Sequence, residues 1–126
     1  MMKTVKDAEL RRQEILMTAR ELFIKKGYDK TSVNDILKVV DIAKGTFYYY
    51  FSSKEELAKF AIKYSTNILA EELKEINQLD VSSKEKIYIF VKRYLENVQN
   101  SPEVIEYFLR VYLSNREVFK QGCEGF

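Results

Sequence analysis

Apolar residues recur at helical spacing from the start of the chain. One stripe joins five positions: Ile15, Leu16, Ala19, Leu22 and Phe23. Residues spaced by one, four, seven and eight positions share a face of an α-helix, so this stripe predicts an amphipathic helix. Asp7 is a suitable N-cap, and Gly27 can take the left-handed conformation that ends many helices. The first helix is therefore predicted from Asp7 to Lys26.

A second and a third short helix are predicted next. Thr31 or Ser32 can cap the second helix, and Ser32 with Asp35 forms a loose version of the capping box. Its apolar face is Val33, Ile36, Leu37 and Val40. Asp41 tolerates a positive φ and can form the turn, after which the third helix runs from about Ala43 to Tyr50. Two short helices joined by such a turn are typical of a helix-turn-helix motif.

Three longer helices are predicted after residue 52. Ser53 with Glu56, and Ser82 with Glu85, are capping boxes that begin the fourth and fifth helices, and Ser101-Pro102 begins the sixth. The fourth helix is expected to extend to about Ile76. Their expected buried residues are Leu57, Phe60, Ala61, Tyr64, Ile68 and Leu69; Ile87, Phe90, Val91, Tyr94, Leu95 and Val98; and Val104, Ile105, Phe108, Leu109, Tyr112 and Leu113. The tail 121–126 has no periodicity.

The composition supports an all-α fold and argues against several functions. The chain has 126 residues, one Pro and four Gly, too few turn-formers for a β architecture. The single cysteine, Cys123, and the absence of histidine remove the usual zinc ligand sets and the commonest catalytic groups. We therefore predict neither an enzyme nor a cofactor. No apolar run is long enough to span a membrane and no secretory signal is visible, so a cytoplasmic location is expected.

The densest cluster of aromatic residues lies in the third helix. Phe47 and Phe51 are four residues apart and share one face. Tyr48, Tyr49 and Tyr50 point elsewhere, so at least two of them are expected to meet solvent or a partner. Tyrosine combines an apolar ring with a polar hydroxyl, which suits a docking surface. The alternative is that these rings pack beneath neighbouring helices, which helical geometry permits for about one of the three.

The chain resembles the tetracycline-repressor (TetR) family of transcriptional regulators. Three segments carry the resemblance: residues 15–28, residues 31–36 and, most specifically, residues 42–57, IAKGTFYYYFSSKEEL. The resemblance implies an all-helical homodimer whose N-terminal three helices bind an operator and whose body binds a small effector. It also implies two parts: a helix-turn-helix DNA-binding domain over residues 1–51 and a helical ligand-binding and dimerisation body over residues 52–126.

The resemblance assigns residues to two sites. The DNA-binding set is Thr31, Ser32, Asn34, Lys44, Gly45, Thr46, Tyr48, Tyr49, Tyr50 and Lys54. The body aromatics and their neighbours form a candidate ligand set, although aromatics at helical spacing are more often core residues. That set is Tyr64, Ile68, Phe90, Tyr94, Phe108 and Tyr112. Together these features predict a repressor that binds a palindromic operator as a dimer and is released by a ligand.

The sequence departs from the family pattern at four points. Ala43 replaces a capping Ser, which should cost the third helix about 1 kcal/mol. Asp41 replaces the turn Gly, and Leu37 and Val40 replace smaller residues. The chain is also short for the family, so we interpret residues 52–126 as a partial body.

Other readings of the same residues remain open. The exposed tyrosines could be a hot spot for a protein partner, which would make the chain a helical interaction module. The aromatic body alone would also suit a small-molecule-binding helical protein or an enzyme. Lys54 could be a solvated residue at a helix start, although the helix dipole disfavours a cation there. Thr31 and Ser32 could act only as helix caps.

Overall fold

The computed structural model describes residues 5–124, which form seven α-helices and no strand. The helices are α1 (Val5–Lys26), α2 (Val33–Val40), α3 (Lys44–Tyr50), α4 (Lys54–Asn77), α5 (Ser83–Asn100), α6 (Pro102–Ser114) and α7 (Arg116–Cys123). The predicted all-α class is therefore confirmed for this part of the chain. Gly125 and Phe126, at the end of the predicted tail, lie outside the described residues. No helix among those described is long and apolar enough to cross a membrane.

Helix α1 lies at the centre of the fold, in contact with α2, α4 and α6. Its predicted stripe faces the core: Ile15, Leu16, Ala19 and Phe23 are buried, and Leu22 is partly buried against them. The helix begins at Val5, two residues before the predicted cap, so Asp7 lies in its first turn. Gly27 ends the helix as predicted, with a φ of 98° that only glycine adopts without strain.

Local backbone chemistry places α2 and α3. Ser32 caps α2 through a full capping box, since its hydroxyl accepts from the Asp35 amide and the Asp35 carboxylate accepts from the Ser32 amide. Asp41 has the predicted left-handed conformation, with a φ of 57°. Ala43 stands at the N-cap of α3 and makes no side-chain capping bond. The two helices are therefore joined by the short turn that the sequence predicted.

The capping box predicted for α4 is displaced by one residue. Ser53 accepts from the Glu56 amide as expected. The Glu56 carboxylate, however, bonds the amide and hydroxyl of Ser52 instead of the Ser53 amide. Both arrangements satisfy free donors at the helix start, so α4 still begins at Lys54.

Helix α7 was not predicted, because its apolar residues are few. It packs against α4 and α6. Gly122 makes the closest approach: a Cβ there would lie 2.7 Å from the Cβ of Ile62 and 2.9 Å from the Lys59 carbonyl oxygen. Cys123, in the tail for which no periodicity was found, is the last residue of this helix and is partly buried. Gly122 allows the close approach of α7 to α4, and Val118, Phe119 and Cys123 pack against the core beside it.

The predicted burial was correct at the start of α4, where Leu57 and Ala61 are buried, but largely wrong for α5 and α6. Helix α5 has no buried residue, and Ile87, Val91, Tyr94 and Leu95 are exposed. In α6 the buried residues are Tyr107 and Val111, which the predicted face did not include. Also exposed are Tyr64 and Ile68 of α4, and Ile105, Leu109, Tyr112 and Leu113 of α6. The apolar faces exist, but the described residues cover only parts of them.

Candidate nucleic-acid interface

The tyrosines of α3 divide as helical geometry requires. Tyr48 and Tyr49 are 45% and 79% exposed, whereas Tyr50 is partly buried against the core. The Tyr50 and Tyr49 rings meet edge to face with centroids 5.0 Å apart. Tyr48 and Tyr49 therefore face outward as predicted, whereas Tyr50, which was also assigned to the DNA-binding set, packs partly inside.

Phe47 and Phe51 hold α3 to the rest of the protein. They are 0% and 1% exposed, and their ring centroids lie 6.3 Å apart. The Arg12 guanidinium of α1 lies 4.9 Å from the Phe51 centroid and 4.7 Å from that of Phe60. A cation over an aromatic face is attracted by the ring quadrupole, so Arg12 fastens α1 to the segment that follows α3.

The first turn of α3 is open to solvent. Lys44 and Gly45 are exposed, and a Cβ added at Gly45 would meet nothing of the chain within 4 Å. Thr46 is half-buried. Because Gly45 has no side chain, another molecule can approach the backbone here more closely than at a residue that has one.

Ser32 and Asn34 are exposed at the start of α2. The Ser32 hydroxyl oxygen accepts the cap bond from the Asp35 amide. The Lys26 ammonium lies 2.8 Å from the Asp35 carboxylate. That hydrogen bond, followed by those from Ser32, holds the pKa of the Asp35 carboxyl well below its usual value. The carboxylate thus stays charged and the cap stays formed at neutral pH.

Thr31 does not belong to this surface. It is 1% exposed, and its hydroxyl donates to the Gly27 carbonyl at 2.7 Å. The Thr31 side chain closes the turn after α1 from inside, so the structure gives no support to its assignment as a DNA contact. Ser32, next to it, is both the cap and the exposed residue.

Lys54 is bound within the protein. Its ammonium donates to the Tyr28 carbonyl at 3.0 Å and lies 4.3 Å from the centroid of the Tyr28 ring. Tyr28 is buried, and this burial, with the nearby charges of Glu55 and Asp29, raises its pKa to about 12. Lys54 therefore ties the start of α4 to the loop between α1 and α2, and its assignment to a phosphate stays a prediction.

Three of the six predicted ligand residues share a cavity. Ile68, Tyr94 and Phe108 line a space of about 340 Å³ between α4, α5 and α6. Tyr64 lies outside it, Phe90 lines a separate depression with Leu73 and Ile76, and Tyr112 packs edge to face on Phe119. The sequence did not indicate Arg20 of α1, which also lines the cavity. Its position off the apolar stripe was the available signal, but that position equally suits a solvated residue.

Comparison with known proteins places the chain in a family. Residues 15–60 match the family described as bacterial regulatory proteins, tetR family. The chain belongs to the TetR family. The predicted resemblance is confirmed, and the family consists of transcriptional regulators, in agreement with the prediction that the chain is not an enzyme.

Individual relatives support the same assignment. The chain is 30% identical over 109 residues to the HTH-type transcriptional regulator QacR of Staphylococcus aureus, covering 82% of this chain and 57% of QacR. It is 29% identical over 102 residues to the biofilm operon icaADBC HTH-type negative transcriptional regulator IcaR of Staphylococcus epidermidis, covering 81% of this chain and 51% of IcaR. A crystal structure of a gamma-butyrolactone receptor (ArpA-like protein) superposes with a TM-score of 0.65 at 26% identity, over 86% of this chain and 54% of the receptor. This TetR-family chain thus spans about half the length of the relatives it matches.

Proposed function

We propose that this TetR-family chain is part of a transcriptional repressor that binds duplex DNA through α2 and α3. The observation that carries the proposal is the division of α3. Buried Phe47 and Phe51 fix the helix, while Lys44, Tyr48 and Tyr49 are left exposed. A helix anchored on one side and bearing a cation and tyrosines on the other suits the major groove of DNA.

Each exposed group has a chemical role in such an interface. Lys44 neutralises a phosphate, and the tyrosine hydroxyls and Ser32 donate to phosphate oxygens. The tyrosine rings and the amide of Asn34 can meet base edges, including thymine methyl groups. Gly45 allows the backbone to approach the DNA. Thr46 and Tyr50 contribute through their exposed fractions.

We further propose that two copies bind a palindromic operator. Helix-turn-helix proteins that dimerise place one recognition helix in each of two major grooves, so half-sites lie about one helical turn, or a multiple of it, apart. QacR and IcaR are named as HTH-type regulators, which supports the helix-turn-helix part of this proposal. The division into a DNA-binding domain over residues 1–51 and a ligand-binding and dimerisation body over residues 52–126 is part of this proposal.

A small molecule in the α4–α6 cavity would regulate binding. The cavity is lined by residues of α4, α5 and α6 and by Arg20 of α1, so an occupant would contact both parts of the chain. To release DNA, the ligand must bind the conformation that does not fit the operator more tightly than the one that does.

Selection from a random duplex library, followed by a salt titration of the selected sequence, tests the DNA-binding proposal. A palindrome should be enriched, and affinity should fall steeply with salt through counterion release. Lys44→Ala should reduce the slope of log K against log salt by about one unit. Lys63→Ala, which removes an exposed cation from the middle of α4, is the matched control and should leave the slope unchanged.

Two results would overturn the proposal. One is the absence of any enriched duplex. The other is a slope that Lys44→Ala and Lys63→Ala change equally, because α3 would then not be the contact surface. A salt-independent protein partner that depends on Tyr49 would instead favour the interaction module, for which the 79% exposure of that ring is the supporting observation.

A further inference from the structure

Arg20 is the unusual residue of the α4–α6 cavity. It extends from α1 into a space otherwise lined by α4, α5 and α6. Its Nε–H donates to the Ser65 hydroxyl at 2.9 Å, and this bond orients the guanidinium group. Tyr64 flanks the group, with its ring centroid 5.8 Å away. The guanidinium is thus held in place at one wall of the cavity.

The charge of Arg20 has no counterion among residues 5–124. No carboxylate lies within ion-pair distance of it in this part of the chain. A guanidinium has five N–H donors, and the described structure engages only the one on Nε. The remaining donors form the planar fork that binds a carboxylate through two parallel hydrogen bonds.

The other charge of the cavity is already partly neutralised. Glu72 also lines the space, and its carboxylate lies 3.9 Å from the guanidinium of Arg93, which is outside the cavity. The side chain of Glu72 is 23% exposed. A ligand that enters therefore meets one unopposed cation and one carboxylate that has a partner, so the cavity favours an anionic group.

The neighbouring hydroxyls do not compete for that role. The Ser65 hydroxyl donates to the Ala61 carbonyl, and the Thr66 hydroxyl donates to the Lys63 carbonyl. Their hydrogens are used within α4. Asn97, Asn100 and Ser101 add neutral polar groups where α5 meets α6, and none of them carries a charge. The rest of the wall is apolar, and its main members are Ile68, Leu69, Tyr94, Val98, Val104 and Phe108. One charged end and a long apolar wall are the features of a site for an amphipathic molecule.

We infer that the cavity binds a small amphipathic anion, with a carboxylate-type head group on Arg20 and an apolar body along α4, α5 and α6. This inference rests on the proposed ligand response and adds the chemical class of the ligand. Because Arg20 lies three residues before the core residue Phe23, such a ligand contacts the central helix of the fold directly.

Calorimetry with three decyl compounds tests the inference on the 126-residue chain without DNA. Decanoate, decan-1-ol and decyltrimethylammonium share their apolar chain and differ in the charge of the head group. Decanoate should bind at least about tenfold more tightly than decan-1-ol, since a hydrogen-bonded charged group contributes more than a neutral one. Decyltrimethylammonium should bind weakest.

Four variants connect the preference to the cavity. Arg20→Gln should weaken decanoate about tenfold or more and leave decan-1-ol unchanged, whereas Arg20→Lys should retain part of the preference. Arg93→Gln should weaken decanoate and strengthen decyltrimethylammonium, because Glu72 loses its partner. Lys63→Gln, an equal loss of charge outside the cavity, should change nothing. Thermal unfolding of each variant checks that Arg20→Gln, which also loses the bond to Ser65, remains folded.

The inference is wrong if decanoate and decan-1-ol bind equally, if decyltrimethylammonium binds best, or if a folded Arg20→Gln keeps the decanoate preference. These outcomes are separate from those of the DNA experiment. A chain that selects an operator but ignores decanoate loses only the ligand class. A chain that binds decanoate through Arg20 but selects no duplex keeps the ligand class and loses the repressor proposal.

Discussion

Helices α1 and α5 have similar apolar patterns but opposite environments. The stripe on α1 is buried, with Ile15 and Phe23 at 0% exposure, whereas Ile87 and Leu95 of α5 are 65% and 53% exposed. Helix α1 contacts α2, α4 and α6, so its stripe is covered by neighbours. Helix α5 contacts α4 and α6 along one edge, with the cavity between them. An amphipathic pattern therefore specifies a face of a helix, while burial depends on what covers that face.

A matched pair of substitutions measures this difference. Ile15→Ala should lower the free energy of unfolding by about 2–5 kcal/mol, because it leaves a cavity in the core. Ile87→Ala removes the same atoms from an exposed site and should stay within about 0.5 kcal/mol. Urea unfolding followed by circular dichroism gives both values. If Ile87→Ala costs as much as Ile15→Ala, α5 is covered in solution and the contrast between the two helices fails.

Features of the fold that depend on interactions between neighbouring residues could be predicted from the sequence. The Ser32 cap, the Gly27 terminus and the left-handed Asp41 depend on interactions within a few residues, and all three were predicted. The orientation of α3 followed too, because Phe47 and Phe51 are too apolar to be left in water. These features account for α1–α3 and for the surface that carries most of the DNA-binding set.

Features that depend on contacts between residues far apart in the chain could not be predicted from the sequence. Thr31 was predicted as a cap or a DNA contact, but its hydroxyl lies within hydrogen-bond distance of the carbonyls of Leu22 and Gly27. No local sequence pattern reveals these contacts. Lys54 was predicted as a DNA contact or a solvated residue, but its ammonium group donates a hydrogen bond to the carbonyl of Tyr28, which is distant in sequence. Helix α7 was missed because Gly122, which lets it approach α4, does not resemble a core residue. The boundary at residue 51 and the DNA contacts themselves remain predictions.

Two glycines extend the contrast between covered and open surfaces. Gly122→Ala places a Cβ 2.9 Å from the backbone oxygen of Lys59, so α7 must shift, and the free energy of unfolding should fall by about 1–3 kcal/mol.

Gly45→Ala places a Cβ in open space and improves helix propensity, so the free energy of unfolding should rise by about 0.4–1 kcal/mol while affinity for the selected duplex falls. Thermal unfolding and DNA titration on both variants check this. A harmless Gly122→Ala would show that α7 is not held closely to α4, and an unchanged DNA affinity for Gly45→Ala would remove Gly45 from the interface.

A buried tyrosine hydroxyl gives a small expected effect on stability that depends on pH. Tyr107 is 1% exposed, stacks on Phe23 with centroids 6.2 Å apart, and its hydroxyl has no hydrogen-bond partner among the described residues. An unsatisfied buried hydroxyl costs free energy, so Tyr107→Phe should raise stability at neutral pH by about 1 kcal/mol. Tyr88→Phe on α5, where the ring is 65% exposed, is the control and should change nothing.

The pH dependence of stability shows whether Tyr107→Phe acts by removing the cost of burying the hydroxyl or by improving the packing. Burial raises the pKa of Tyr107 above its ordinary value, which means that the fold favours the neutral phenol. A group whose pKa is raised by folding contributes its full stability below the unfolded pKa, near 10 for tyrosine, and loses it as the pH rises toward the folded pKa. The free energy of unfolding of the wild type should therefore fall above about pH 10, and this fall should be smaller in Tyr107→Phe. Part of the fall should persist in the variant, because the pKa of Tyr28 is also raised, to about 12. Urea midpoints measured between pH 7 and pH 11 provide the comparison. If Tyr107→Phe shifts the midpoint by the same amount at every pH, the gain comes from packing; if it destabilises the protein at pH 7, the hydroxyl has a hydrogen-bond partner in solution, and α6 is tied to the core by more than the stacking of Tyr107 on Phe23.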